Sequence, residues 1–75
     1  MTQTEALLEL LRERGEQGVT PLLALNLIGS FRLAARISEL RRDGYDIVTT
    51  IVKTPNGAHV ANYRLIEDLT LGFED

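Results

Sequence analysis

Leu7, Leu8, Leu10 and Leu11 recur at steps of three and four residues, with Glu5, Glu9, Arg12 and Glu13 on the remaining sides. That spacing predicts an amphipathic helix. Thr2 and Glu5 in TQTE have the spacing of a capping box at its start, and Gly15 and then Gly18 stop it. Val19 reads as a short extended piece. Thr20 suits the N-cap of a second helix, and Pro21 suits its first turn, where a missing N–H leaves nothing unpaired. Leu22, Leu25 and either Ala24 or Ile28 are expected on its inward face, and Gly29 ends it after about two turns. Ser30 is expected to cap a third helix that runs to about Arg42, before Gly44. At about 100° per residue, Leu33, Ile37 and Leu40 share one narrow stripe flanked by Ala34. Phe31, Arg32, Ala35, Glu39 and Arg42 lie on the other side, with Arg36 at the border.

After Gly44 the apolar period shortens from about 3.6 residues to about 2. YDIVTTIVK is rich in β-branched residues and predicts a strand, with Ile47, Thr49 and Ile51 on one face and Val48, Thr50 and Val52 on the other. TPNG is a turn in which proline presets one dihedral and Asn-Gly tolerates positive φ. AHVANYRL returns as the partner strand, with Ala61, Tyr63 and Leu65 toward the helices. The order is helix, short strand, helix, helix, hairpin. Little more than Gly29-Ser30 separates the second and third helices, so they must meet at a sharp angle. This is the α+β arrangement of a winged helix-turn-helix, with the third helix as recognition helix and the hairpin as wing.

The run TPLLALNLIGSFRLAARISELRRDGYDI, followed by VKTPNGAHVANYRL, resembles a family of small helix-turn-helix proteins encoded largely by bacteriophages and prophages. The similarity spans roughly residues 5 to 65, and RLAARISELRRDGYDI with a hairpin ending in ANYRL is its most specific part. The resemblance implies a winged-helix fold and DNA binding. It implies no particular biological role, because membership is a fold-level statement.

Charge changes this picture only through its placement. The chain of 75 residues carries a net charge of −3, yet residues 66–75 hold Glu67, Asp68, Glu74 and Asp75 and no base. Without them the body has 8 bases to 7 acids, and residues 30–42 alone are +3. The chain therefore divides into a winged helix-turn-helix domain over residues 1–65 and an acidic, apolar tail over 66–75. Leu69, Leu71 and Phe73 in that tail suggest an added strand or a segment docking on a second subunit; an unstructured terminus fits as well. Its acids could also compete with DNA for the basic helix.

A composition of 44% hydrophobic and 25% charged residues belongs to a folded domain rather than a disordered one. With no cysteine, neither disulfides nor a thiolate metal site can brace it. No apolar run approaches the roughly 18 residues of a membrane span, and the acids near the N-terminus argue against a targeting peptide. These features point to the cytoplasm, and with the resemblance to that of a bacterial host cell.

Candidate site residues follow from the recognition-helix reading. Arg32, Ala35, Arg36 and Glu39 would lie in or beside a major groove, and backbone N–H groups beginning at Ser30 would hold a phosphate. The plainer reading makes them an ordinary polar face, with Arg32 or Arg36 paired to Glu39. Arg41 and Arg42 would contact phosphates, although cations at a helix C-terminus suit its dipole without any ligand. Lys53 and Asn56 near the wing tip would touch phosphates or reach a minor groove, while any hairpin turn also needs polar residues. His59 is the single histidine, with no acid at ligand spacing, so no metal and no cofactor is expected. A nucleophile–base pair and a Gly-rich phosphate loop are both missing, so no enzyme activity is expected.

Two readings of different classes result. The first is a sequence-specific double-stranded-DNA binder of phage or prophage type, a transcriptional regulator or a recombination or excision accessory factor, acting as a homodimer or in tandem. The second is a non-catalytic module that kept the winged-helix scaffold, lost DNA binding and docks a host or phage protein. A sequence pI near 5.0 supports the second. Steep salt dependence of DNA affinity would separate them.

Overall fold

The computed structural model describes residues 2–67. They form α1 (Gln3–Arg14), a 3-10 turn (Gly15–Gln17), α2 (Pro21–Ile28), α3 (Leu33–Arg42) and a hairpin of β1 (Asp46–Lys53) and β2 (His59–Ile66). The reading of Leu69, Leu71 and Phe73 lies outside the described residues.

The capping box forms as the spacing predicts. The Glu5 N–H donates to the Thr2 hydroxyl at 3.1 Å, and the Thr2 N–H donates to the Glu5 carboxylate at 2.9 Å. Two N-terminal donors that the helix cannot satisfy are thereby paired. The backbone bond from Thr2 holds the Glu5 carboxyl below its ordinary value. Leu7, Leu10 and Leu11 are buried on the inner side of α1.

The chain leaves α1 through Gly15, at φ +54°, and Gly18, at φ +77°. Val19 then pairs with the free edge of β2, exchanging backbone hydrogen bonds of 2.8 and 2.9 Å with Tyr63. Gly18 also lies against Asn62, which is buried and donates from Nδ2 to the Gln17 carbonyl at 3.1 Å. A Cβ at Gly18 would stand 2.5 Å from the Asn62 amide atoms. Its backbone, at φ +77° and ψ −179°, is in a region essentially reserved for glycine and costs other residues about 1–3 kcal/mol. Gly18→Ala is therefore expected to lower the melting temperature by about 10 °C or more, read in a thermal unfolding scan.

Thr20 caps α2 by accepting the Leu23 N–H at 3.3 Å, and Gly29 ends it in the left-handed conformation at φ +69°. Its inward face differs from the expected one. Ala24 is fully buried with Leu23 and Ile28 packed beside it, whereas Leu22 is 66% exposed. Nearly every position of α2 is apolar, so periodicity offered no contrast between its faces. The fold resolves the ambiguity by placing its smallest side chain in the core.

α3 begins later than expected. Arg32, not Ser30, occupies the N-cap, and no side chain caps the helix. Ser30 is only 2% exposed, and its hydroxyl has no hydrogen-bond partner among the described residues. The left-handed turn at Gly29 carries Ser30 inward beneath the helix pair, so the chain must come back out through Phe31 and Arg32 before it can coil. Leu33, Ile37 and Leu40 bury as the stripe predicts.

β1 and β2 pair antiparallel from Asp46 opposite Ile66 to Lys53 opposite His59. Only the base of the hairpin joins the core, through Ile47, Leu65 and the partly buried Tyr63. Beyond Thr49 it projects away from the helices, which leaves Ile51 65% exposed. The core is thus one cluster of α1, α2 and α3 side chains closed on one side by the hairpin base.

Past the last residue of β2, Glu67 accepts from Arg12 Nε at 3.0 Å and Nη2 at 2.8 Å, a bidentate pair that ties the end of β2 to α1. The Arg12 guanidinium also lies 5.8 Å from the centre of the Tyr45 ring. Arg12 holds the Glu67 carboxyl below its ordinary value. A depressed carboxyl contributes at neutral pH and loses that contribution as the pH falls through its folded value. The pair is exposed, so the effect is small. Glu67, read from sequence as part of the acidic tail, is held against the body.

Candidate nucleic-acid interface

A helix that packs on one side only presents the opposite side to whatever it binds, but α3 is covered on two sides. Its stripe faces the core, and one flank leans on the start of α1. The Thr4 hydroxyl donates to Glu39 Oε1, and Arg36 Nη2 lies 3.4 Å from Glu39 Oε2. Ala35, Arg36 and Glu39 are consequently half-buried on that flank. The exposed face is rotated by about half a residue step from the one the stripe alone predicts. It consists of Ala34, Ser38, Arg41 and Arg42, preceded by Phe31 and Arg32. Ala34 and Ser38 were not singled out by the sequence reading. What would have found them is the Thr4–Glu39 contact, which no local pattern announces.

The phosphate-holding role expected at Ser30 loses its basis with the cap, because the side chain is buried and the helix starts at Leu33. Among the described residues no side chain blocks the N-terminal N–H groups of α3, so the anion preference of a helix start moves to Leu33 and Ala34.

Arg41 does more than balance the helix dipole. Its Nε and Nη2 donate to the Ile47 carbonyl at 3.1 and 2.6 Å, and Nη2 also donates to the Thr49 hydroxyl at 3.0 Å. One guanidinium thus straps the C-terminal end of α3 to the root of β1 and sets the wing relative to the helix. Arg41→Ala is expected to raise amide exchange at residues 49–53 about tenfold, for a loss of about 1.5 kcal/mol in that strap. Exchange at Leu7 and Leu11 would stay unchanged, as measured by hydrogen–deuterium exchange.

On the hairpin, the pairs Ile47–Leu65, Thr49–Tyr63, Ile51–Ala61 and Lys53–His59 share one face. Its base covers the core, and Lys53 and His59 are exposed at the outer end of the same ribbon face. Asn56 belongs to the tip. Its Oδ1 accepts from the Thr54 hydroxyl and, at 3.5 Å, from the Ala58 N–H. Gly57 closes the turn, donating to the Thr54 carbonyl at 2.9 Å and adopting φ +90°. Only the glycine of the Asn-Gly pair uses positive φ, and the oxygen of Asn56 serves the turn itself.

Arg32 at the start of α3, Arg41 and Arg42 at its end, and Lys53 at the end of β1 are all exposed, and Arg41 bridges helix and wing. Asp43 and Asp46 stand at that junction, and no acid lies between Arg32 and Ser38. Among the described residues no group of three or more His, Cys, Asp or Glu side chains is placed to hold a metal. No described helix is long and apolar enough to cross a membrane.

Helices joined by a tight turn, an uncapped third helix and a projecting antiparallel hairpin define a winged helix-turn-helix domain, the architecture of a large class of DNA-binding proteins. A family described as a winged helix-turn-helix domain matches residues 2–68, and the chain belongs to it. Neither a curated protein nor a solved structure matches the chain.

Proposed function

We propose that the protein binds double-stranded DNA sequence-specifically, with α3 in the major groove and the wing over the adjoining backbone. The observation that carries this reading is an α3 that exposes the small Ala34 and Ser38 together with Arg32, Arg41 and Arg42, next to a wing that exposes Lys53. A major groove about 12 Å wide admits a helix, and Ala34 and Ser38 let this one approach closely. Arg32 stands nearest the end that meets base edges, where arginine binds guanine O6 and N7. Arg42 and Lys53 serve phosphates, and the free part of the Arg41 guanidinium can join them. Arg36 and Glu39 support α3 from its flank.

A single module covers roughly 600–1,000 Å² of protein surface on DNA, so useful affinity calls for two copies on one site. The likeness to small phage and prophage proteins supports a role in transcriptional regulation or as a recombination or excision accessory factor, in the cytoplasm of a bacterial host cell. The exposed Leu22 and Leu27 favour the second reading, a surface that docks another protein.

Fluorescence anisotropy on a mixed-sequence duplex across a salt series decides between the two. DNA binding predicts a log–log slope close to −0.9 per phosphate neutralised, about −2 to −3 here. Arg42→Ala with Lys53→Ala should weaken binding and flatten that slope by about two. No binding at low salt would favour the protein-docking reading.

A further inference from the structure

Phe31 is 86% exposed, while its neighbours Ser30 and Leu33 are 2% and 4% exposed. Both ends of this short stretch are anchored in the core, so the ring is held outward by the fold. It stands at the entrance to α3, beside Arg32 and in line with the exposed Ala34. A bare phenyl ring at the leading end of a cationic helix has no structural task within the described body.

We propose that Phe31, with Ala34, reads pyrimidine C5-methyl groups, those of thymine first. The inference rests on the DNA-binding reading above. Apart from the flush C5–H of cytosine, the features of a base-pair edge in the major groove are hydrogen-bond donors or acceptors, and the C5-methyl is the one apolar group that projects from it. The ring and the Ala34 methyl offer no hydrogen bond. Set against guanine or cytosine edges, they would strip water from O6, N7 or N4 and give nothing back. Against a thymine methyl, the same surfaces bury apolar area on both sides. The adjacent Arg32, with Arg42 further along the same helix, supplies a field suited to phosphates, which selects nucleic acid over an apolar protein partner. 5-Methylcytosine presents the same methyl group at the same position and falls in the same chemical class.

The test starts from duplexes recovered by affinity selection of the full chain on a randomised pool. Thymines in the recovered site are replaced one at a time by deoxyuridine, which removes only the methyl group, and affinities are read by anisotropy. One or two positions should each lose about fourfold, the size of burying one methyl group. In a duplex with cytosine at such a position, 5-methylcytosine should bind better than cytosine by a similar factor. Phe31→Ala should erase the thymine–uracil difference while keeping the salt slope, and Phe31→Leu should retain part of it. Equal affinity for thymine and uracil duplexes with an intact salt slope would overturn the methyl reading and leave DNA binding standing. So would a failure to enrich any sequence, or a Phe31→Ala variant that keeps the full difference. A change of oligomeric state in Phe31→Ala, seen by sedimentation without a thymine–uracil difference, would assign the ring to a second copy of the chain. Loss of all duplex binding at low salt would remove the DNA reading itself.

Discussion

Glutamate in place of Ala34 is expected to lower duplex affinity by about a hundredfold, since setting a like charge against a charged partner costs several kcal/mol. The position is exposed, in the first turn of α3, and faces neither α1 nor the core. Glutamate is a good helix former, and an acid near a helix N-terminus suits the dipole, so the fold should hold or gain slightly. Affinity and stability should therefore separate: anisotropy reports the loss while the thermal transition stays in place or rises. The same substitution at Ala35, on the half-buried flank, should affect binding much less. That contrast tests the rotated face of α3 directly, because the apolar stripe alone would have put Ala35 in the groove.

The second large effect lies in the core. Leu11 is fully buried, in a cluster with Leu7, Val19, Ile37 and Leu65. Leu→Ala at such a site costs about 2–5 kcal/mol, the transfer of the lost atoms plus the cavity they leave. Domains of this size hold only about 4–11 kcal/mol in total, so Leu11→Ala should lower the melting temperature by about 10–30 °C. Leu22→Ala should change it by only a degree or two, because that side chain is already 66% in water. Two leucines of one sequence thus separate by burial alone, and thermal unfolding monitored by circular dichroism reads both.

Those leucines also mark where sequence was informative. What depends on neighbours in the chain was legible: the Thr2–Glu5 box, the Thr20-Pro21 start, the left-handed Gly29, the Leu33–Ile37–Leu40 stripe and the hairpin closed by Gly57. What depends on distant residues was not. Leu22 could not be told from Leu23 in a helix whose only polar residue is Asn26. Ser30 has the chemistry of a cap, yet the turn before it takes the side chain inside. Nothing in the alternation of β2 foretold that Asn62 would bury against Gly18, because the partner comes from the loop after α1.

The candidate site shows the same division. Arg32 and Arg42 sit on the exposed face, as spacing implied, while Arg36 and Glu39 are drawn to α1 by Thr4, thirty-five positions from Glu39 in sequence. Arg41 could be read as a phosphate ligand or a dipole partner, but its bonds to Ile47 and Thr49 appear only once the chain turns back at Gly44. Charge totals were the least useful guide. An overall net charge of −3 conceals a charge of +3 over residues 30–42.

The central claim is that one surface, formed by α3 and the root of the wing, receives DNA. Amide chemical-shift mapping of the full chain with a mixed-sequence duplex at low salt tests it most directly. The largest changes should cluster at residues 31–34, 38, 41–42 and 49–53, with Glu9, Glu13 and Leu22 unaffected. Changes centred on Leu22 and Leu27, or no changes at saturating duplex, would contradict it.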